Sequence, residues 1–259
     1  MNADPTVGSI ARAAKVLAAM ADFPAGASLS DLIARTDFTK TTTHRVLASL
    51  QDVHFVAQDP GDKKYHFGGD LAGLARKANL IDLAAVAQRS MRRLADLSDD
   101  TVFLSIPEGA ASICIHRELG AFPIRTLTLD IGSRHPLGVG ANAQALLSAL
   151  PERTRTSANR INSSWFKEFG IDLASVQDLH RDTVERGYAL NPGRIIPGMA
   201  AISLPIMTQK GRLVAAMAIG AVTDRMSLER IETLLLPALR KEVGKVSARY
   251  DLLETEGLL

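Results

Sequence analysis

Phe38-Thr39-Lys40-Thr41-Thr42-Thr43-His44-Arg45-Val46-Leu47 is the stretch of this 259-residue chain on which its reading turns. Thr39 is a good N-cap residue, so a helix is expected to begin there. At about 100° per residue, Val46, Leu47 and Leu50 fall on one side, in line with Thr43, and mark the inner face. Thr41, Arg45 and Ala48 take the opposite side, flanked by Thr42 and His44. Residues 39–51 include no acid. The outward N-terminal face is therefore hydroxyl, amine, imidazole and guanidinium. Hydroxyls, basic groups and the free N–H groups of a helix N-terminus all donate to phosphate oxygens. An arginine can also form paired hydrogen bonds with guanine O6 and N7 in the major groove, which an α-helix fits. Thr39, Lys40, Thr41, Thr42, His44 and Arg45 are thus candidates for contact with double-stranded DNA.

The flanks support this. Upstream, Ile10, Ala13, Ala14, Leu17 and Ala21 recur at helical spacing as an apolar stripe, ended by Pro24 and Gly26. Ser28 then caps a second helix, with Asp31 completing a capping box and Leu29, Leu32 and Ile33 as its expected buried face. Ser28, at the start of that helix, joins the DNA-contact candidates. Three short helices with a tight turn before the last are a helix-turn-helix arrangement. Downstream, residues 55–58 and 63–67 alternate around Asp59-Pro60-Gly61-Asp62, which predicts a β-hairpin. Lys63 and Lys64 beside its tip would meet the phosphate backbone as a wing.

In these residues the chain resembles the IclR family of bacterial regulators. Residues 38–47 match the recognition-helix pattern of that family, which usually has proline in place of Thr39. Ser9-Ile10, the Phe55-Val56 step and Tyr65-His66-Phe67-Gly68 match as well. So do Gly132-Ser133-Arg134-His135-Pro136-Leu137, residues 198–205, Gly211 and residues 213–220, so the resemblance covers nearly the whole chain. It implies repression or activation of nearby genes, a homodimer or a homotetramer built as a dimer of dimers, and a small-molecule effector, often a carboxylic acid.

Residues 71–80 read as a linker helix with Leu71, Leu74 and Ala75 on one face, and Gly68-Gly69 before it as a hinge. A further helix carries Leu83, Val86, Ala87, Met91, Leu94 and Leu97 inward and Arg89, Arg92 and Arg93 outward, as a solvated face. The pattern then changes. Residues 101–106, 111–118 and 124–130 read as strands, 141–150 and 172–186 as helices, 199–207 and 213–221 as a hairpin, and Ser227 opens a last long helix. Glu229 and Glu232 lie early in that helix and Lys241 and Lys245 late, complementing its dipole. The expected fold is α+β: a winged helix-turn-helix (1–68), a linker helix (69–80), and an antiparallel-sheet, GAF-like domain for effector binding and oligomerisation (81–259).

The resemblance places an effector pocket between the sheet, the loop at 131–140 and the helix that follows. Leu127 and Leu129 would project from the third strand. Ala141 and Asn142 would sit at a helix N-terminus, where N–H groups attract a carboxylate. Asn191, Ala201, Ala218 and Gly220 correspond to ligand-contacting positions in relatives. Ala218 and Gly220 stand where some relatives that bind small keto acids have serine, which suggests a bulkier or more apolar ligand. The alternative for Leu127, Leu129 and Ala218 is plain core.

Composition narrows the rest. A formal net charge of +2 permits nucleic-acid binding without dictating it. Cys114 is the sole cysteine, which excludes an intrachain disulfide and a cysteine metal cluster; it reads as a core residue of a strand, with a redox switch as the lesser alternative. No secretory leader and no apolar run of about 20 residues is present, so a cytoplasmic protein without a membrane partner is expected. Gly138-Val139-Gly140-Ala141-Asn142-Ala143 has the form G-x-G-x-x-A, but Asn162 stands where a dinucleotide site needs an acid. No H-E-x-x-H or G-x-S-x-G motif occurs. No cofactor, metal or enzymatic activity is expected. The rival reading is an enzyme acting on a small acid with a helical interaction module attached, and it lacks a nucleophile or paired carboxylates in the pocket. Arg194, between two Pro-Gly pairs, could pair with a ligand carboxylate or simply be exposed.

Overall fold

The computed structural model describes residues 8–77, 83–124 and 129–256. The chain divides into two units, residues 1–81 and 82–259.

In the first unit, α1 (Ser9–Met20), α2 (Leu29–Thr36) and α3 (Lys40–Asp52) enclose a core of Val16, Met20, Leu32, Phe38, Leu47 and Leu50. The capping box of α2 is formed: the Ser28 hydroxyl accepts from the Asp31 amide at 3.2 Å, and the Ser28 amide donates to Asp31 Oδ2 at 2.9 Å. The inner face of α3 is the expected one, with Thr43, Val46, Leu47 and Leu50 buried. On α2, Leu32 is buried, while Leu29 and Ile33 are half-buried.

The face expected for α1 is rotated. Ile10 is 85% exposed, and Ala14 and Ala21 are exposed, whereas Val16, Ala19 and Met20 are buried, with Ala13 and Leu17 packed against them. This helix is apolar on most of its circumference, so two overlapping stripes satisfy the spacing rule. The one that brings valine and methionine inward buries more apolar area.

The wing is β1 (Val56–Gln58) paired antiparallel with β2 (Tyr65–Phe67), and a bridge from Ala27 to Tyr65 ties it to the entry of α2. Gly68, expected as a hinge, is pinned. Its amide donates to the Phe55 carbonyl at 2.8 Å, and a Cβ there would stand 2.0 Å from the His54 carbonyl oxygen. The glycine is required by that close approach rather than by bending. Helix α4 (Gly69–Lys77) follows, with Leu74 52% exposed; the rest of the expected linker, residues 78–80, and the side chain of Ala75 lie outside the described residues.

The second unit begins with α5 (Leu83–Ser98), β3 (Thr101–Glu108) and β4 (Ala111–Glu118). Next come β5 (Arg134–Pro136), α6 (Ala141–Ala149) and α7 (Glu152–Ile161). A 3-10 helix (Trp165–Phe169) leads to α8 (Leu173–Arg186), β6 (Ala189–Asn191), β7 (Met199–Met207) and β8 (Leu213–Val222). The chain closes with α9 (Leu228–Arg230), a π-helical turn (Ile231–Leu235) and α10 (Leu236–Thr255). Among the described residues the strands form one antiparallel sheet in the order β5-β4-β3-β8-β7-β6. Helix α6 packs on one face of the sheet, through Leu146, Leu147 and Ala216.

Several expectations change here. The third strand was expected at 124–130, but residues 125–128 lie outside the described residues, and Ile124, Leu129 and Asp130 belong to no strand. The edge strand is β5, inside the segment read as an effector loop. Helix α7 is strongly polar, with Ile161 as its one large apolar residue, and the 3-10 helix and β6 are short, so none of the three shows an apolar stripe in the sequence. On α5, Leu97 is 48% exposed while Ala95 and Ser98 turn inward.

Arg93 is not merely solvated. It donates to Glu242 of α10 at 2.6 Å, and Lys245 reaches the other carboxylate oxygen at 2.6 Å. Glu242 is 5% exposed. Burial alone would raise its pKa, but the hydrogen bonds from Arg93, Lys245 and Ser90 outweigh that and hold it at about 2, against an ordinary 4.5. A depressed carboxylate contributes stability that is complete above pH 4.5 and is lost as the pH falls toward 2. Its contribution is at most on the order of 3 kcal/mol, reduced where water reaches the two cations. Acid titration of unfolding should show this slope in the wild type and a flatter one in Glu242→Gln.

Candidate functional site

Two sites emerge, one in each unit. On α3, Thr39 caps the helix by accepting from the Thr42 amide at 3.2 Å, and its hydroxyl donates to Thr42 Oγ1 at 3.0 Å. The two hydroxyls thereby hold each other. Thr41, His44 and Arg45 are exposed and, like Lys40, have no hydrogen bond or ion pair among the described residues. Their polar groups are not spoken for by the protein. Arg45 also borders an open groove between α1 and α3, lined by Ser9, Ile10, Arg12 and Ser49. Arg12, missed by the sequence reading, adds positive charge beside Arg45; only the folded packing of α1 on α3 brings them together.

Ser28 is committed to its cap. Its hydroxyl donates to Asp31 Oδ2 at 2.7 Å, and that bond, with the one from its amide, holds the Asp31 carboxyl below its usual range. At the wing tip Lys63 has a left-handed backbone (φ 62°) and Lys64 lies 3.8 Å from Asp62. Asp59 stabilises the turn by accepting from the amides of Gly61 and Asp62.

In the second unit a cavity of about 60 Å³ lies between the sheet and the start of α6. Leu129, Ala141, Asn142, Asn191, Ala201 and Ala218 all line it. Gly220 does not: it sits further along β8, paired with Thr101 and Ala201. Leu127 lies outside the described residues. Phe103, Cys114, Ile195, Ile196 and Met199 supply further apolar wall, and Ser112, Ser133 and His135 further polar groups. Ala201 and Ala218 leave the floor bare of large side chains. The larger side chains take up that space, however, and the volume is well below the roughly 150 Å³ that accommodates benzene. In this conformation the cavity suits a short ligand body.

Gly138 and Gly140 adopt φ of 102° and 86°, which lets the chain turn sharply into α6. Gly140 offers no side-chain cap. The N–H groups of Ala141, Asn142 and Ala143 accordingly have no acceptor among the described residues. The Asn142 side chain does not reach for a ligand. It donates to Ser105 Oγ at 2.9 Å and accepts from Ser203 Oγ at 2.6 Å, tying α6 to β3 and β7. Asn191 accepts from the Arg194 amide at 3.1 Å, while Arg194 itself is exposed and outside the lining. Burial pushes the Cys114 thiol up to about 11, so it stays protonated and weakly nucleophilic. His135 packs against Phe169 with the rings tilted by 54° and their centroids 5.0 Å apart. Neither His135 nor Ser112 was singled out as a site residue, because strand pairing between β4 and β5 puts them there. Among the described residues no group of side chains could hold a metal ion, and no helix is long and apolar enough to cross a membrane.

Comparison with known proteins gives concordant matches. Residues 9–60 match the IclR helix-turn-helix domain, and residues 76–248 match the bacterial transcriptional regulator IclR C-terminal domain. The chain is 28% identical to the HTH-type transcriptional repressor AllR of Escherichia coli over 208 residues, 78% of this chain and 76% of that one. The crystal structure of an IclR transcriptional regulator from Alicyclobacillus acidocaldarius is 26% identical, with a TM-score of 0.66 over 93% of this chain and 98% of the other. An IclR homolog from Microbacterium hydrocarbonoxydans, solved with 4-hydroxybenzoate, has a TM-score of 0.69 at 20% identity, over 93% and 98%.

Proposed function

Because this chain belongs to the IclR family, and is a transcriptional regulator with a DNA-binding helix-turn-helix and a C-terminal effector-binding domain, we propose that α3 reads its operator and that the cavity beside α6 binds a small organic acid. The observation that carries the DNA half is the exposed, acid-free N-terminal face of α3, where Lys40, Thr41, His44 and Arg45 have no partner among the described residues. Arg45 reads a base edge. Thr39, Thr42 and Ser28 act through their caps, presenting helix N-termini to phosphate. Lys63 and Lys64 meet the backbone from the wing.

Residues 1–68 form the DNA-binding domain, 69–80 the linker and 81–259 the effector and oligomerisation domain. The protein works in the cytoplasm as a homodimer or a pair of dimers, placing two copies of α3 in successive major grooves about 34 Å apart. Its role is regulatory, as both matched domains are those of transcriptional regulators. The effector is an acid: unpaired N–H groups at the start of α6 belong to residues that line the cavity, and the Microbacterium protein was solved with 4-hydroxybenzoate. Effector binding shifts a balance between two arrangements that differ in operator affinity.

The test is selection of bound sequences from a random duplex library with the full-length protein, followed by affinity measurements with and without a panel of aliphatic and aromatic acids. A pseudo-palindromic site whose affinity changes with an acid is expected. Absence of any enriched sequence would overturn the DNA half; an affinity indifferent to every acid would overturn the effector half. On the selected site, Lys63→Ala should weaken binding evenly across sequence variants and lower the slope of log affinity against log salt by about 1.

A further inference from the structure

The cavity contains an electrostatic imbalance that points to one class of ligand. Donors converge on it without an acceptor. The N–H groups of Ala141, Asn142 and Ala143 are unpaired among the described residues. The Ser112 hydroxyl and the Asn191 side-chain N–H₂ have no partner there either, and these two side chains are 5% and 8% exposed. His135 stands beside them: its Nδ1 is 4.0 Å from where a Cβ on Gly140 would sit, against the N-cap of α6, and it pairs across the strands with Ser112. The described lining residues include no lysine, arginine, aspartate or glutamate.

We propose that His135 selects a monocarboxylic acid as the effector, meeting its carboxylate as an imidazolium, so that one proton is taken up from solvent when the acid binds. This rests on the effector reading of the cavity given above and names the chemistry of that site. The helix N-terminus and the imidazolium are both positive, and each disfavours the other until an anion lies between them. A single carboxylate fills that role. A second carboxylate would be buried in the apolar part of the cavity without a counter-charge, so dicarboxylates are rejected.

The titration belongs to His135. In the empty protein burial lowers its pKa, and a hydrogen bond to Val139 only partly offsets this, so the ring is neutral at neutral pH. The charged groups of the neighbouring elements are paired away from the lining: on β4 His116 lies 3.1 Å from Glu118 and Arg117 lies 3.1 Å from Asp130, and none of the four lines the cavity. Phe169 packs on the ring, while Lys167 and Glu168 of the same 3-10 helix are exposed. On β5, Arg134 points to the opposite face of the sheet, where it pairs with Glu108. Cys114, held at about 11, does not titrate in this range. A bound carboxylate favours the imidazolium and raises the pKa of His135. Between the empty and the bound values the affinity for the acid therefore falls as pH rises, by up to about tenfold per unit.

The experiment is isothermal titration of the full-length protein between about pH 5.5 and 8.5. The probes are acetate, propionate and pentanoate, their neutral amides, and succinate, in buffers of differing ionisation enthalpy. Expected are monocarboxylate binding that weakens with rising pH, uptake of about one proton, amide binding without pH dependence, and succinate binding weaker than that of propionate. His135→Gln should abolish the slope and proton uptake while keeping amide affinity, which also establishes that the variant pocket is folded; His135→Asn serves as a second variant. Acid binding that ignores pH, or the same slope in either variant, would overturn the proposal. Amides binding where no acid does would overturn it and leave the effector pocket standing. No probe of either kind binding at any pH would remove both.

Discussion

Replacing Arg45 by alanine is expected to weaken binding to the selected operator by about 1–3 kcal/mol and to relax preference at one base pair of each half-site. The size follows from geometry. Arg45 is exposed on the outer face of α3 and has no intramolecular partner among the described residues to compete for its guanidinium. A guanidinium that enters the major groove can donate two parallel bonds to one guanine, and alanine restores neither. Folding should be nearly untouched, because the helix is held by Val46, Leu47 and Leu50 on the other side. The contrast with Lys63→Ala is the discriminating measurement: base preference relaxes in the first variant and only the salt slope changes in the second. Unaltered selectivity in Arg45→Ala would remove α3 from the role of reader.

A change at Asn142 should be felt in the other unit, and by stability first. Asn142→Leu removes the amide that bonds Ser105 and Ser203, both fully buried. Ser203 keeps its 3.0 Å bond to the Met217 carbonyl, whereas Ser105 loses its side-chain partner among the described residues. An unpaired buried polar group costs about 1–3 kcal/mol, and the total for this substitution is about 2–4 kcal/mol. For a unit of this size that lowers the melting temperature by about 5–15 °C. The N-terminus of α6 also loses its attachment to β3 and β7, so response to the effector should fall more than operator affinity does. Adding Ser105→Ala and Ser203→Ala should recover part of the lost stability, because nothing then remains unpaired. A triple variant no more stable than the single one would show that the network is not what holds α6.

Much of the surface proposed to contact DNA is legible in the sequence because its determinants are local. The Ser28 and Asp31 box, the Thr39 cap and the inner face of α3 each depend on residues within a turn or two of one another. The same logic fixed α8 between Asp172 and Gly187, where the carboxylate caps one end and a left-handed glycine closes the other. It failed where the local pattern was degenerate. Helix α1 offers apolar residues on several sides, so spacing could not choose between Ile10 and Val16. Strands of three residues such as β5 and β6 show no period to recognise.

The amino-acid order by itself therefore determined the limits of α2, α3 and α8, the basic face and wing, and the α+β class, since these follow from caps, periodicity and turn chemistry over short spans. Only the tertiary structure decided what the cavity is made of. His135 and Ser112 meet through a cross-strand register, Asn191 arrives from β6, and Asn142 turns its amide to β3 and β7 rather than to a ligand. Those neighbours are tens of residues apart along the chain, and their meeting is set by how the strands order and pair, a property that no single segment carries.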